Sequence, residues 1–146
     1  SAALLHDIGK IGVRDEVLLK PGRLTPEEMN IIRGHPIFGD AILGPLKFLG
    51  KVAGMVRHHH ERWDGNGYPD KLKGEDIPLA SRIVAVADSF DALTSDRPYR
   101  DRKTLGETLR IVEEESGRQF DPQVVRALFG VLGDSKTGGE EIAEPS

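Results

Sequence analysis

The sequence predicts an all-α fold, and three observations carry that prediction. Thr25 stands three residues before Glu28, and Thr104 three before Glu107, each pair ahead of a run with helical spacing, which is the signature of a capping box. Apolar residues recur at Phe48, Leu49, Val52, Met55 and Val56, a pattern that fits one face of a helix. No segment alternates apolar and polar residues as a strand does. Residues 84–86 come nearest, but the flanking alanines and the length of the run favour helix.

Residues 1–8 read as the end of a helix that Gly9 or Gly12 closes. Residues 15–19 form a short helical turn, ended by Lys20, Pro21 and Gly22. Thr25 caps the next helix, Pro26 suits its first position, and Met29, Ile31 and Ile32 lead towards His35. Pro36 disfavours a helical conformation at His35 and marks a boundary. Residues 37–43 continue as a second short helix, and 47–60 as another. Residues 61–77 are a long irregular loop, of a kind that is usually functional or disordered. Pro78 opens a central helix with a dense apolar face. Thr104 caps the next, and Asp121 with Pro122 opens the last, ended by Gly133.

The chain has 146 residues, 38% apolar and 30% charged, which suits one soluble globular domain with a single core. That domain is expected over 1–133, with 134–146 a polar, Gly-rich flexible tail or linker. A net charge of -4 excludes a global basic field for nucleic acid and leaves room only for a local basic patch. The absence of cysteine excludes disulfides and thiolate metal sites. Nothing approaches the ~18 consecutive apolar residues of a membrane span. The chain reads as cytoplasmic, or as the cytoplasmic part of a larger protein. It lacks an initial Met and opens on Ala2, Ala3, Leu4 and Leu5, so it reads as cut from a longer polypeptide.

Metal-ligand residue types recur at helix ends: His6 with Asp7, His35, His59 with His60, and Asp88. The three histidines at 58–60 are internal and follow an apolar helix, which separates them from an expression tag. A lone His is more often a hydrogen-bonded core residue than a ligand. Asp88, among alanines and valines, is different: burying it unpaired is costly, and the same holds for Asp7. Together the acids and histidines meet that cost by holding metal ions. Adjacent residues on a helix diverge by about 100°, so His6 and Asp7 spread around a site. Imidazole and carboxylate without sulfur suit Fe, Mn or Zn, and sometimes Ni or Co. The set is rich enough for two ions sharing Asp7. Ion pairs ~3.5–4 Å apart are the usual device for cutting phosphoester bonds. Lys10 lies one turn after His6, and Arg97 and Arg100 follow the Asp88 helix. Their cations match phosphate oxygens, and surface charge is the competing reading.

The stretches HDIGK (6–10), HHERWDGNGYP (59–69) and VADSFDALTSDRPYR (86–100) resemble the HD-GYP domain, a branch of the HD phosphohydrolase superfamily. The similarity runs from Ala2 to about Leu132 and includes 18–43 and 119–125. The resemblance implies a compact multi-helix phosphodiesterase that hydrolyses cyclic di-GMP to the linear dinucleotide pGpG or to GMP in bacterial second-messenger signalling. It implies two or three divalent metals, most often iron or manganese. Matched residue by residue, His6, Asp7, His35, His59, His60 and Asp88 are metal ligands, with Asp7 the bridge. Lys10 contacts phosphate and joins Asp7 in the catalytic set. Arg97 and Arg100 fall where the family uses basic residues on the dinucleotide. Gly67, Tyr68 and Pro69 are the GYP signature, which shapes the site and meets partner proteins. Glu61 and Asp64 match supporting positions: Glu61 to orient a ligand imidazole, and Asp64 to hold the turn. No ligand role carries over to His58.

The family also places helices upstream, bearing a further His and, in trinuclear members, a Glu ligand. Without them Ala2, Leu4 and Leu5 are left partly uncovered, which favours homodimerisation, segment swapping or loss of activity. Fusion to an upstream sensory or receiver domain is implied as well. Three readings compete with the leading one. The first is an HD-type hydrolase for another cyclic dinucleotide or nucleotide phosphate. The second is a non-catalytic signalling module that binds through the GYP loop, and the third is a helical domain with a structural metal.

Overall fold

A computed structural model describes residues 5–96 and 100–137, with the side chains of 134–137 excepted. Among the described residues the chain forms seven α-helices: α1 (Asp15–Leu18), α2 (Pro26–Arg33), α3 (His35–Leu43), α4 (Gly50–His58), α5 (Leu79–Thr94), α6 (Leu105–Glu114) and α7 (Pro122–Thr137). Short 3₁₀ turns occupy Ile8–Gly12, Lys47–Leu49 and Gly74–Asp76. Among the described residues no strand forms: Ser116 and Phe120 pair in an isolated bridge, and Arg100 is a further lone bridge residue. The all-α expectation holds.

Both capping boxes form. The Thr25 side chain accepts from the Glu28 backbone N–H while Glu28 accepts from the Thr25 N–H, and Thr104 with Glu107 repeats the exchange. Two expectations need correction. Leu5 is helical, but His6 and Asp7 lie in a turn and Ile8–Gly12 tightens into 3₁₀ geometry, so the expected helix over 1–8 does not extend through the His-Asp pair. At the other end α7 continues past Gly133 to Thr137, because a single glycine weakens a helix without obliging it to stop. The boundary before Pro36 falls at Gly34, leaving His35 as the first residue of α3.

α3 packs against the 3₁₀ turn at Ile8–Gly12 and against α4. The first contact is backbone on backbone. A β-carbon on Gly9 would overlap the His35 carbonyl, and one on Gly39 would meet Val56 Cγ1 at 2.5 Å. Two buried clusters form the core. Leu43, Ala53, Met55 and Val56 gather Leu5, Ile8 and Val84 around them, and Val86, Val112, Phe120 and Val125 form the second cluster between α5, α6 and α7. Complete burial of Met55 or Val56 stabilises the fold by about 1.5–3 kcal/mol each. Leu5 is thus covered in part by the core, whereas Ala2 and Leu4 lie outside the described residues.

Loop 61–77 is fastened at several points. Trp63 N–H donates to Gln119 O (3.2 Å), Asp64 N–H to Arg118 O (2.9 Å) and Gly74 N–H to Trp63 O (3.0 Å). Arg57 on α4 donates to Asp40 on α3 (3.1 Å) and through two nitrogens to Asp70 in the loop (2.8 and 3.0 Å). Arg82 joins α5 to the buried Asp121, which caps the start of α7 by accepting from Gln123 N–H. Among the described residues no helix is long and apolar enough to cross a membrane.

Candidate metal centre

Four elements bring the six expected ligands together. The turn before the first 3₁₀ segment supplies His6 and Asp7. The start of α3 supplies His35, the turn that follows α4 His59 and His60, and the middle of α5 Asp88. The ligand atoms fall into two triads, His35/His59/His60 and His6/Asp7/His59, and within each triad they lie within 4.8 Å of one another. His59 belongs to both. Asp7 sits between them, with Oδ1 3.5 Å from His35 Nε2 and Oδ2 3.2 Å from His6 Nε2. Asp88 Oδ1 reaches His6 Nε2 at 3.3 Å.

The imidazoles are oriented by their own helices. His35 Nδ1 donates to Ile32 O at 2.7 Å, and His59 Nδ1 to Val56 O at 2.6 Å. A ring that donates from Nδ1 in its neutral form carries a lone pair on Nε2. The two Nε2 atoms nevertheless face each other at 3.4 Å. Two acceptors pointed together inside a protein repel unless a cation or proton stands between them, and a backbone carbonyl on the far nitrogen is the usual way to aim a metal-binding histidine. The donor set therefore fits a divalent ion on its own geometry.

Electrostatics favour the metal-ready forms. Burial lowers the His35 imidazole below its ordinary range, pushes His59 down to about 4, and pushes His60 down to about 3 with help from His59 and His35. All three are neutral near pH 7, as ligands must be. Burial pushes the Asp7 carboxyl up, but Lys10, His6 and His35 together outweigh it and hold it below the usual carboxylate range. The two acids are not deeply buried as the sequence suggested. Asp7 and Asp88 are each 40% exposed, and both meet Nε2 of the partly buried His6. Their oxygens remain open to solvent and to a ligand.

The other expected residues fall around this centre. Lys10 Nζ lies 3.2 Å from Asp7 Oδ2. Arg100 is exposed and donates to Ala92 O (2.9 Å), one turn beyond Asp88 on α5. Arg97 lies outside the described residues. Tyr68 stacks on His60, with ring centres 5.0 Å apart. Gly67 has no room for a side chain, since a β-carbon would overlap the backbone of His60, Glu61 and Arg62. Pro69 follows in the same turn. Asp64 accepts from Asn66 N–H (3.0 Å) and from two nitrogens of Arg62 (3.1 and 2.9 Å), beside Gly65 at φ 84°. The buried Glu61 carboxylate accepts from Asp70 N–H (2.7 Å) and Leu72 N–H (3.1 Å), and the imidazole beside it, at 3.6 Å, is His58. His58 faces Glu61 and Asp70 rather than the two triads.

A model of the HD domain family matches residues 1–124. The chain belongs to the HD domain family. Its similarity to curated members is close: it is 53% identical over 132 residues to a cyclic di-GMP phosphodiesterase of Thermotoga maritima, covering 88% of this chain and 35% of that protein. It is 52% identical over 130 residues to the cyclic di-GMP phosphodiesterase response regulator RpfG of Xanthomonas campestris, covering 88% and 34%. Similarity extends to a 3'3'-cGAMP-specific phosphodiesterase of Vibrio cholerae, at 40% identity over 88% of this chain and 25% of that protein. The fold matches the crystal structure of a cyclic GMP-AMP-specific phosphodiesterase of Vibrio cholerae with a TM-score of 0.67 at 22% identity, over 92% of this chain and 37% of that one. This HD domain spans about a third of the length of the curated relatives it matches most strongly.

Proposed function

We propose that this HD domain is the hydrolytic module of a metal-dependent phosphodiesterase for cyclic di-GMP, yielding pGpG, GMP or both. The observation that carries the reading is the pair of histidine triads joined at His59 with Asp7 between them. The names of the relatives at 52–53% identity point to the same substrate. On this reading His6, Asp7, His35, His59, His60 and Asp88 hold two divalent ions, iron or manganese. Bound ions of this kind activate water and stabilise the negative charge that develops on a phosphodiester.

The chain's own residues do the rest. Asp7, a member of one triad, turns Oδ2 to His6 and Oδ1 to His35 of the other. The Ile32 and Val56 carbonyls hold His35 and His59 in the tautomer that offers Nε2. Lys10, 40% exposed at the rim, offers an ammonium to a phosphate oxygen, and Arg97 and Arg100 extend positive charge beyond Asp88. Tyr68 backs the His60 ring and limits its rotation. The GYP turn is the surface offered to partner proteins, and an upstream sensory or receiver domain controls the module in the cytoplasm.

A second reading keeps the chemistry and changes the nucleotide, favoured by the relatives named as 3'3'-cGAMP-specific enzymes. One experiment separates them. Full-length protein is purified anaerobically, its metal content measured, and turnover of cyclic di-GMP and 3'3'-cGAMP followed on the same sample. About two equivalents of metal with faster cyclic di-GMP cleavage is expected. Faster 3'3'-cGAMP cleavage moves the assignment to that nucleotide, and metal-loaded protein inert towards both overturns it.

A further inference from the structure

Beside the metal centre the surface sinks into two recesses that share His60, Arg62 and Gln119 as walls. The nearer, about 180 Å³, also touches His59 and Asp88. The farther, about 440 Å³, runs on to Arg33, Tyr68 and Lys71. The farther recess has three cationic side chains and no carboxylate among its lining residues. Arg62 is committed to Asp64, but among the described residues neither Arg33 nor Lys71 forms a salt bridge. Arg33 is held over the Tyr68 ring, 5.7 Å from its centre.

Lys71 is placed there at a cost. Its φ is 54°, a left-handed conformation that residues with a β-carbon seldom adopt. The flanking amides explain how it is kept: Asp70 N–H and Leu72 N–H both bond to the buried carboxylate of Glu61, one on each oxygen, so the backbone on either side of Lys71 is pinned. A strained residue held by its surroundings often marks a functional position.

Resting on the phosphodiesterase reading, we propose that Arg33 and Lys71, with Arg62 behind them, form a seat for the second, uncleaved phosphate of a cyclic dinucleotide. The ring of such a substrate carries two phosphodiesters on opposite sides. When one lies at the histidine triads, the other must project away from them, and the cation-lined recess shares His60 as a wall with the recess beside the centre. Arg supplies a planar fork for two phosphate oxygens, and Lys a compact point charge. The seat discriminates in favour of ligands that carry a second phosphate. A simple diester with one phosphate occupies the metal centre alone.

The test compares two esters on metal-loaded, full-length protein: cyclic di-GMP, and bis-(p-nitrophenyl) phosphate, which has a single phosphate. Arg33→Gln and Lys71→Met remove charge at exposed positions and keep a β-carbon at each. Each variant is expected to lower kcat/KM for cyclic di-GMP by about ten-fold, mainly through KM, and to lower the ratio of the two esters' kcat/KM values by the same factor. The double variant should lose more than either single. Equal losses on both esters, or no loss on either, overturn the seat while leaving the phosphodiesterase reading standing. Wild-type protein that cleaves neither ester overturns that reading and the seat with it.

Discussion

In the histidine cluster, His35 and His59 turn acceptor nitrogens on each other at 3.4 Å. A few residues later, in loop 61–77, the carboxylates face donors: Glu61 takes two backbone N–H groups, Asp64 takes Arg62 and Asn66 N–H, and Asp70 takes Arg57. The residue types are much the same in both regions. These three loop carboxylates are satisfied within the protein, whereas the cluster is arranged to be completed by something else. Local satisfaction marks structure, and organised dissatisfaction marks a binding centre.

Substitutions should sort by that division. The largest effect is expected at Asp7. Asp7→Ala removes the carboxylate between the triads and should reduce turnover on the order of a thousand-fold or more, with bound metal falling in the same preparation. His59→Ala should behave similarly. His58→Ala should keep its metal and most of its activity, since His58 faces Glu61 and Asp70. Equal metal loss at His58 and His59 would erase the contrast between cluster and loop.

Glu61→Ala comes next and should act on folding. It leaves two backbone donors beside a buried site without their acceptor, costing about 2–4 kcal/mol in urea unfolding. Glu61→Gln keeps one acceptor oxygen and should cost roughly half as much. If both variants unfold like wild type, the loop is not held by this carboxylate.

Gly67→Ala forces a β-carbon into the backbone of residues 60–62 and should cost about 1–3 kcal/mol. Gly54→Ala is the matched control. Gly54 lies within α4 with open space around its would-be β-carbon, so the change should be neutral or stabilise by up to about 1 kcal/mol. Thermal melts of the pair read the difference directly.

The smallest effect concerns pH. Arg62 holds the Asp64 carboxyl down to about 2, with the Asn66 N–H contributing. A depressed carboxyl stabilises the folded state above its unfolded value of about 3.9, and that contribution fades as pH falls towards 2. The pair is partly exposed, so the effect should stay within about 1 kcal/mol. Asp64→Asn should flatten stability between about pH 4 and 2, and an unchanged slope would assign the acid sensitivity elsewhere.

Local signals in the sequence reached far into this structure. Thr25 with Glu28 and Thr104 with Glu107 located two helix starts, because a capping box needs only four consecutive residues. The spacing of Leu49, Val52, Met55 and Val56 located a face turned to the core, but Phe48, read as part of it, is 83% exposed because residues 47–49 form a separate 3₁₀ turn and the helix runs only over Gly50–His58. The fate of Asp7 and Asp88 was less legible. Their apolar neighbours suggested burial, but exposure depends on how α5 meets the turn before Ile8, which no local pattern records. The cationic recess was hidden for the same reason. Arg33, the loop residues Arg62 and Lys71, and Gln119 come from three separate segments, and only the fold makes them neighbours. The nearest signal was the length of loop 61–77, which marked it as functional or disordered without singling out its cations.

Where Gly9 lies against the His35 carbonyl and the Gly39 amide, the distance between the His-Asp turn and the helix bearing His35 is set by main chain touching main chain. Side chains elsewhere in the core can be exchanged during evolution for others of similar bulk without altering that distance. The surface and interior can therefore be redrawn while the spacing between the His-Asp turn and His35 stays the same. Gly9 acts as a gauge: a side chain there would push the His-Asp turn away from the helix bearing His35.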